Sequence, residues 1–160
     1  MMLSLEKPSA VATTSVDHAL QPSNTNKVAV LAVSPFEEDH LSLQRICSHS
    51  NWKLHQARNY WEALACLETN QISVIISECE VPPYNWRDLL NHLADGYHSP
   101  RLIVTSWYAD NRLWAEVLKA GGFDVLPKPF EPRELFRVVS LASRTWKESC
   151  ERPAKAMAAG

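Results

Sequence analysis

A chain of 160 residues with 46% apolar residues is one domain's worth of sequence, long enough to bury a core without disulfide or metal staples. Its formal charge of -2 has no strong sign, which removes the electrostatic case for nucleic acid or an anionic membrane surface as partner. Four scattered cysteines (Cys47, Cys66, Cys79 and Cys150) form no C-x-x-C pair or zinc spacing, and there is no basic-then-apolar amino terminus or run of about 18 apolar residues. Reduced thiols in a soluble, cytoplasmic protein are therefore expected.

Residues 1–26 mix Ser, Thr, Pro, Asn and charge without periodicity, and are expected to form a flexible leader ending in the turn-rich run Gln21-Pro22-Ser23-Asn24-Thr25-Asn26. Val28 to Val33 is a short apolar strand closed by Ser34-Pro35, after which Leu41, Leu43, Ile46 and Cys47 recur at helical spacing. Trp52 to Ala57 alternates as a second strand, and Tyr60 to Thr69 follows as a helix with Trp61, Leu64 and Leu67 on one side. Ile72 to Ile76, apolar except for Ser73, reads as a third strand in the middle of a sheet covered on both faces. Asn85 caps a third helix whose stripe is Trp86, Leu89, Leu90 and Leu93. Leu102 to Thr105 is the fourth strand, and Asp110 to Ala120 a helix that Gly121-Gly122 terminates. Phe123 to Leu126 is the fifth strand, and Pro132 to Lys147 the last helix, with proline in its first turn. From about Ser149 a small-residue tail containing Pro153 is expected to fray.

Strands alternating with helices in this way imply right-handed crossovers and a parallel sheet. The expected fold class is α/β: a flavodoxin-like, doubly wound sheet of five strands in order 2-1-3-4-5, with five helices in three layers, spanning residues 27–148. Such sheets carry their sites at the carboxyl ends of the strands. One central stretch, Val74-Ile75-Ile76-Ser77-Glu78, ends there on a carboxylate; another ends on Lys128, whose backbone is restricted between Pro127 and Pro129. Lying in one parallel sheet, these strands would bring acid and ammonium to the same edge. The plainer readings are a solvated loop acid at Glu78, a surface lysine at Lys128 and a β-branched strand residue at Thr105.

The run Ala120-Gly121-Gly122-Phe123-Asp124-Val125-Leu126-Pro127-Lys128-Pro129-Phe130, the strand end Ile103-Val104-Thr105-Ser106 and the spacing from Glu78 to Pro82 together resemble the receiver domains of two-component response regulators. The resemblance covers residues 27–148. It implies a pocket where an acid pair after the first strand and an acceptor aspartate hold magnesium, a hard cation that takes oxygen ligands. Thr105 and Lys128 match the hydroxyl and lysine that hold the phosphoryl oxygens, and a cis bond before Pro129 would aim the lysine inward.

Along the same alignment the chemically active positions depart. Ser34 and Pro35 stand at the acid-pair positions, so magnesium binding is expected to be lost or weak, with no other cofactor and no metal site implied. Glu37, Glu38 and Asp39 complement the dipole of the first helix, the alternative being a shifted register that turns Glu37 inward. Glu78 stands at the phosphoacceptor position, with its carboxylate one methylene farther out, and is expected to pair permanently with Lys128. At about 4 Å and an effective dielectric of about 20 such a pair attracts by roughly 4 kcal/mol before desolvation is subtracted. Trp86 stands where receivers commonly carry glycine, and Val125 at the switch position where they often carry an aromatic ring.

Trp107, Tyr108, Leu113 and Trp114 crowd the start of the fourth helix, which in receivers borders the partner face. Core packing and an apolar interface patch are both open, because one helical stripe buries only some of them. Cys79 has no basic neighbour or resolving thiol, so no redox role is expected. His18, His40, His49, His55, His92 and His98 show no metal or phosphotransfer grouping.

The expected function is that of a stand-alone, non-enzymatic receiver of bacterial phosphorelay signalling. It would act by protein contact with a histidine kinase or downstream effector and without phosphorylation, Glu78 serving as a built-in surrogate for the charged state. One alternative is a receiver still phosphorylated by a histidine kinase, through Glu78 with Glu37 or Glu80 assisting magnesium. A flavodoxin-like ligand binder or small enzyme is the other, against which the lack of G-x-G-x-x-G, a P-loop and G-x-S-x-G speaks. Homodimers through the fourth and fifth helices occur in the family, which leaves the oligomeric state open.

Overall fold

The computed structural model describes residues 27–94 and 98–151. Strands β1 (Ala29–Val33), β2 (Lys53–Ala57), β3 (Val74–Glu78), β4 (Arg101–Ser106) and β5 (Asp124–Pro127) form one parallel sheet in the order β2-β1-β3-β4-β5. Between them run α1 (Glu37–Cys47), α2 (Tyr60–Thr69), α3 (Trp86–Leu93) and α4 (Asn111–Ala120), with α5 (Pro132–Glu151) last. This is the doubly wound, flavodoxin-like arrangement that the alternation of elements implies.

The pleat sorts the core into two halves, because alternate strand residues face opposite sides. Leu31, Val33, Ile75, Leu102 and Val104 pack with Ala63 of α2, Trp86 and Leu89 of α3, and Val117 of α4. Val30, Ala32, Val74, Ile76 and Ile103 pack with Leu43 and Ile46 of α1 and with Leu135, Val138 and Val139 of α5. Every residue of β3 is buried, as a central strand covered on both faces requires. The edge strand β2 is polar and mostly half-buried.

Side chains fix where the helices start. Asn59 accepts from the Glu62 N–H at 2.9 Å to cap α2, Asp110 from the Leu113 N–H at 2.9 Å to cap α4, and Asn85 with Asp88 closes a capping box on α3. Gly121 ends α4 with φ 108°, a left-handed conformation that side chains disfavour.

Several expectations shift. The third strand runs Val74–Glu78 rather than Ile72 to Ile76, because its pairing with β1 begins at Val30↔Val74 while Ser73 N–H still bonds to the Ala29 carbonyl at 3.0 Å. Glu78 is therefore a strand residue. Leu41 and Trp61, counted in the apolar spacing of the first two helices, are 48% and 58% exposed; α1 buries Asp39, His40, Leu43, Ile46 and Cys47. A short antiparallel ladder, Glu80–Val81 with Tyr84–Asn85, folds around a cis Pro82–Pro83 bond and was not anticipated. The last helix continues to Glu151, into the segment expected to fray. The proposed leader, and the tail from residue 152, lie outside the described residues. No described helix is long and apolar enough to cross a membrane.

A buried ion cluster at the carboxyl edge of the sheet

Strands β3 and β4 pair in register through Glu78 and Thr105, and Lys128 follows the last residue of β5, its N–H bonded to the Ser106 carbonyl at 3.0 Å. The Lys128–Pro129 bond is cis. These strand ends bring the Lys128 ammonium onto a carboxylate oxygen of Glu78, while the other Glu78 oxygen accepts the Cys79 N–H at 2.8 Å. The same ammonium donates to Asp39 Oδ2 at 2.9 Å. Side-chain exposures of 1% for Lys128, 8% for Asp39 and 9% for Glu78 put all three charges out of bulk water.

Asp39 comes from the first turn of α1, and the β1–α1 loop holds it. The Ser34 hydroxyl donates to Asp39 Oδ2 at 2.6 Å and itself accepts the Phe36 N–H at 3.0 Å. His40, fully buried, donates from Nε2 to the Ser34 carbonyl at 2.8 Å and leaves Nδ1 without a hydrogen-bond partner. Over the ammonium lie two rings, their centroids 5.2 Å (Phe36) and 5.6 Å (Trp107) from Nζ, at cation–π range. Burial pulls the Lys128 pKa down; the hydrogen bonds and charges of Glu78 and Asp39 outweigh it, so the net displacement is above the ordinary lysine value.

Ser34 is thus buried against Asp39, and Pro35 is half-buried beside it. Glu37 is turned outward, its carboxylate on Arg58 at 2.5 Å, and Glu80 is exposed. The inward acid is Asp39, two positions along. Helical phase carried the signal, since Asp39 lies one turn before Leu43 and so shares its buried face. Thr105 is buried, with its hydroxyl 3.5 Å from the Ser77 carbonyl rather than on the ions. Val125 is half-buried against the core under α4.

Of the aromatic group at α4, Trp107, Tyr108 and Trp114 are 59%, 85% and 48% exposed, and only Leu113 packs on the core. Trp114 is tethered by its indole N–H to Asp124 Oδ1 at 3.2 Å. Burial and then the Glu78 carboxylate push the Cys79 thiol up, which disfavours the reactive thiolate.

Magnesium, which the family pattern implies, asks for about six oxygen ligands in octahedral geometry. The inward carboxylates here are those of Asp39 and Glu78, and both already hold the Lys128 ammonium. Ser34 and Pro35 add no charge, and no group of three or more His, Cys, Asp or Glu among the described residues has metal-binding geometry. The residues present do not fit the ion.

Similar architecture is found in solved structures. The signal receiver domain of an HD domain-containing protein from Pseudomonas fluorescens Pf-5 is 26% identical, with TM-score 0.72 over 79% of this chain and 94% of that one. The receiver domain of the Francisella response regulator 1452 is 26% identical, with TM-score 0.65 over 74% of this chain and 99% of that one. A chemotaxis response regulator of Vibrio cholerae, 19% identical with TM-score 0.66 over 73% of this chain and 99% of that one, shares the fold. No curated protein matches the sequence. The response regulator receiver domain family matches residues 37–140. The sheet order, the strand-end placement of Glu78, Thr105 and Lys128 and that match agree: the chain belongs to the response regulator receiver domain family of two-component signalling.

Proposed function

We propose that this receiver signals through protein contact without being phosphorylated. The state of Lys128 carries the reading: its ammonium, on a side chain 1% exposed, is already bound by Glu78 and Asp39. By the resemblance, that lysine holds a phosphoryl oxygen in the family. Here the longer Glu78 side chain delivers a permanent carboxylate to it, and a second carboxylate completes the neutralisation. The Phe36 and Trp107 rings above the ammonium support the same reading, because they add to the contacts that already hold the Lys128 charge. The poor fit to magnesium removes the cation that would neutralise an acyl phosphate.

Output then falls to a surface. Trp107, Tyr108 and Trp114 form an exposed aromatic group at the start of α4, and aromatic residues are the commonest anchors of protein interfaces. The partner is a protein of the signalling pathway, a histidine kinase or a downstream effector.

The test is an intact-mass measurement after incubation with a small acyl-phosphate donor and Mg²⁺. The expected result is an unchanged mass. A phosphoryl adduct localised to Glu78 would replace this reading with that of a receiver still driven by a kinase.

A further inference from the structure

A second aromatic group lies at the start of α2 and the turn before α3. Tyr60, Trp61 and Tyr84 contact one another edge to face, with ring centroids 5.2 Å (Tyr60–Trp61), 4.7 Å (Tyr60–Tyr84) and 5.9 Å (Trp61–Tyr84) apart. Tyr60 N–H bonds to the Pro82 carbonyl at 2.8 Å, which ties the helix start to the turn carrying Tyr84. Despite this rigid packing Trp61 and Tyr84 remain 58% and 43% exposed. Rings held in place before binding lose little conformational freedom when a partner arrives.

The charge on α2 itself is one-sided, with Glu62 Oε1 accepting the Arg58 N–H at 2.8 Å. Helix α2 carries Glu62 and Glu68 and no cationic residue. Trp61, Ala65 and Glu68 are exposed at helical spacing, so they line one stripe with an indole at one end, a methyl in the middle and a carboxylate at the other. Asp88, close to Tyr60, helps burial raise that phenol's pKa. The neighbouring cations are already engaged: Arg58 binds Glu37, and Arg87 lies 4.7 Å over the Trp86 ring with the Glu116 carboxylate at 3.8 Å.

From this we infer that the Tyr60–Trp61–Tyr84 group is a second docking surface, and that it takes an arginine-bearing segment of a partner protein. A guanidinium stacks flat on the exposed indole while its charge faces the α2 carboxylates, a combination that a lysine ammonium matches less well. The Arg87–Trp86 contact shows the same chemistry within the chain. The inference is independent of whether Glu78 is phosphorylated.

The probe is an eight-residue peptide of alternating glycine and arginine, titrated into the full chain and followed by NMR at the Trp61 indole N–H and the Tyr60 and Tyr84 amides. Saturable shifts confined to those residues are expected, with affinity falling about tenfold in Trp61→Ala and about threefold in Glu68→Gln. Trp114→Ala, on α4, should leave affinity unchanged. Equal binding by a control peptide of the same length alternating glycine and lysine, shifts centred on Trp107 and Tyr108, or an unaltered affinity in Trp61→Ala would each overturn the inference.

Discussion

An ammonium shared by two buried carboxylates is the least replaceable feature of this site. Removing Lys128 leaves Asp39 and Glu78 facing each other without a counter-charge, and breaking a buried ion pair in this way costs about 3–5 kcal/mol. Lys128→Met should therefore lower urea stability by that amount. Glu78→Gln and Asp39→Asn, which each leave the lysine one carboxylate, should cost about 1–3 kcal/mol apiece and combine non-additively in a double-mutant cycle. Additive losses would mean that the two acids do not share the cation. The pH dependence has a definite sign. Because the folded-state pKa of Lys128 is raised, its stabilisation is complete below the unfolded value of about 10.4 and is lost as pH climbs through the folded value. From neutral pH upward the stability gap between wild type and Lys128→Met should stay flat and then shrink in alkali; a gap that closes between pH ~7 and ~9 would contradict the assignment.

The elements that present these groups depend on a few local devices. The α4–β5 junction is one, since β5 delivers Lys128. Gly121 adopts a left-handed backbone, and a Cβ on Gly122 would sit 2.4 Å from Val117 Cγ1 and 3.1 Å from the Val117 carbonyl oxygen. The second contact is with backbone and cannot rotate away. Gly122→Ala is expected to cost about 1–3 kcal/mol in urea denaturation, more than Gly121→Ala, where strain alone costs about 1–2 kcal/mol. Equal losses would show that the close approach to α4 relaxes freely. The β1–α1 loop is the other device. His40 and Ser34 fix its path, and through it Asp39 reaches an ammonium contributed by a strand at the far edge of the sheet.

For the molecule as a whole, the ion cluster and the aromatic α4 face meet at Trp107, which is exposed on one side and covers Lys128 on the other. A partner that grips Trp107 would therefore act on the lysine that Glu78 and Asp39 hold. Restoring the family's acceptor tests whether the chemistry can be recovered by a single change. In Glu78→Asp the shorter side chain retreats from Lys128, yet Ser34 and Pro35 still stand where an acid pair belongs, so magnesium binding by calorimetry should remain undetectable. Binding as tight as that of a receiver with its acids intact would show that Asp39 suffices as a ligand.

Periodicity and strand-end chemistry were enough to place five strands and five helices in order, and to single out Glu78 and Lys128, because alternation and turn residues are local properties. The resemblance supplied the family, and the response regulator match supports it. Asp39 was legible only through helical phase and was read as a dipole complement, since acids in a first turn serve that role on most helices. Only tertiary structure could decide that Asp39 faces inward while Glu37 meets Arg58, that Thr105 turns toward Ser77, and that Trp61, Trp107 and Trp114 stay outside the core. Each of those outcomes depends on which distant element lies opposite a side chain, and spacing along the chain does not carry that information.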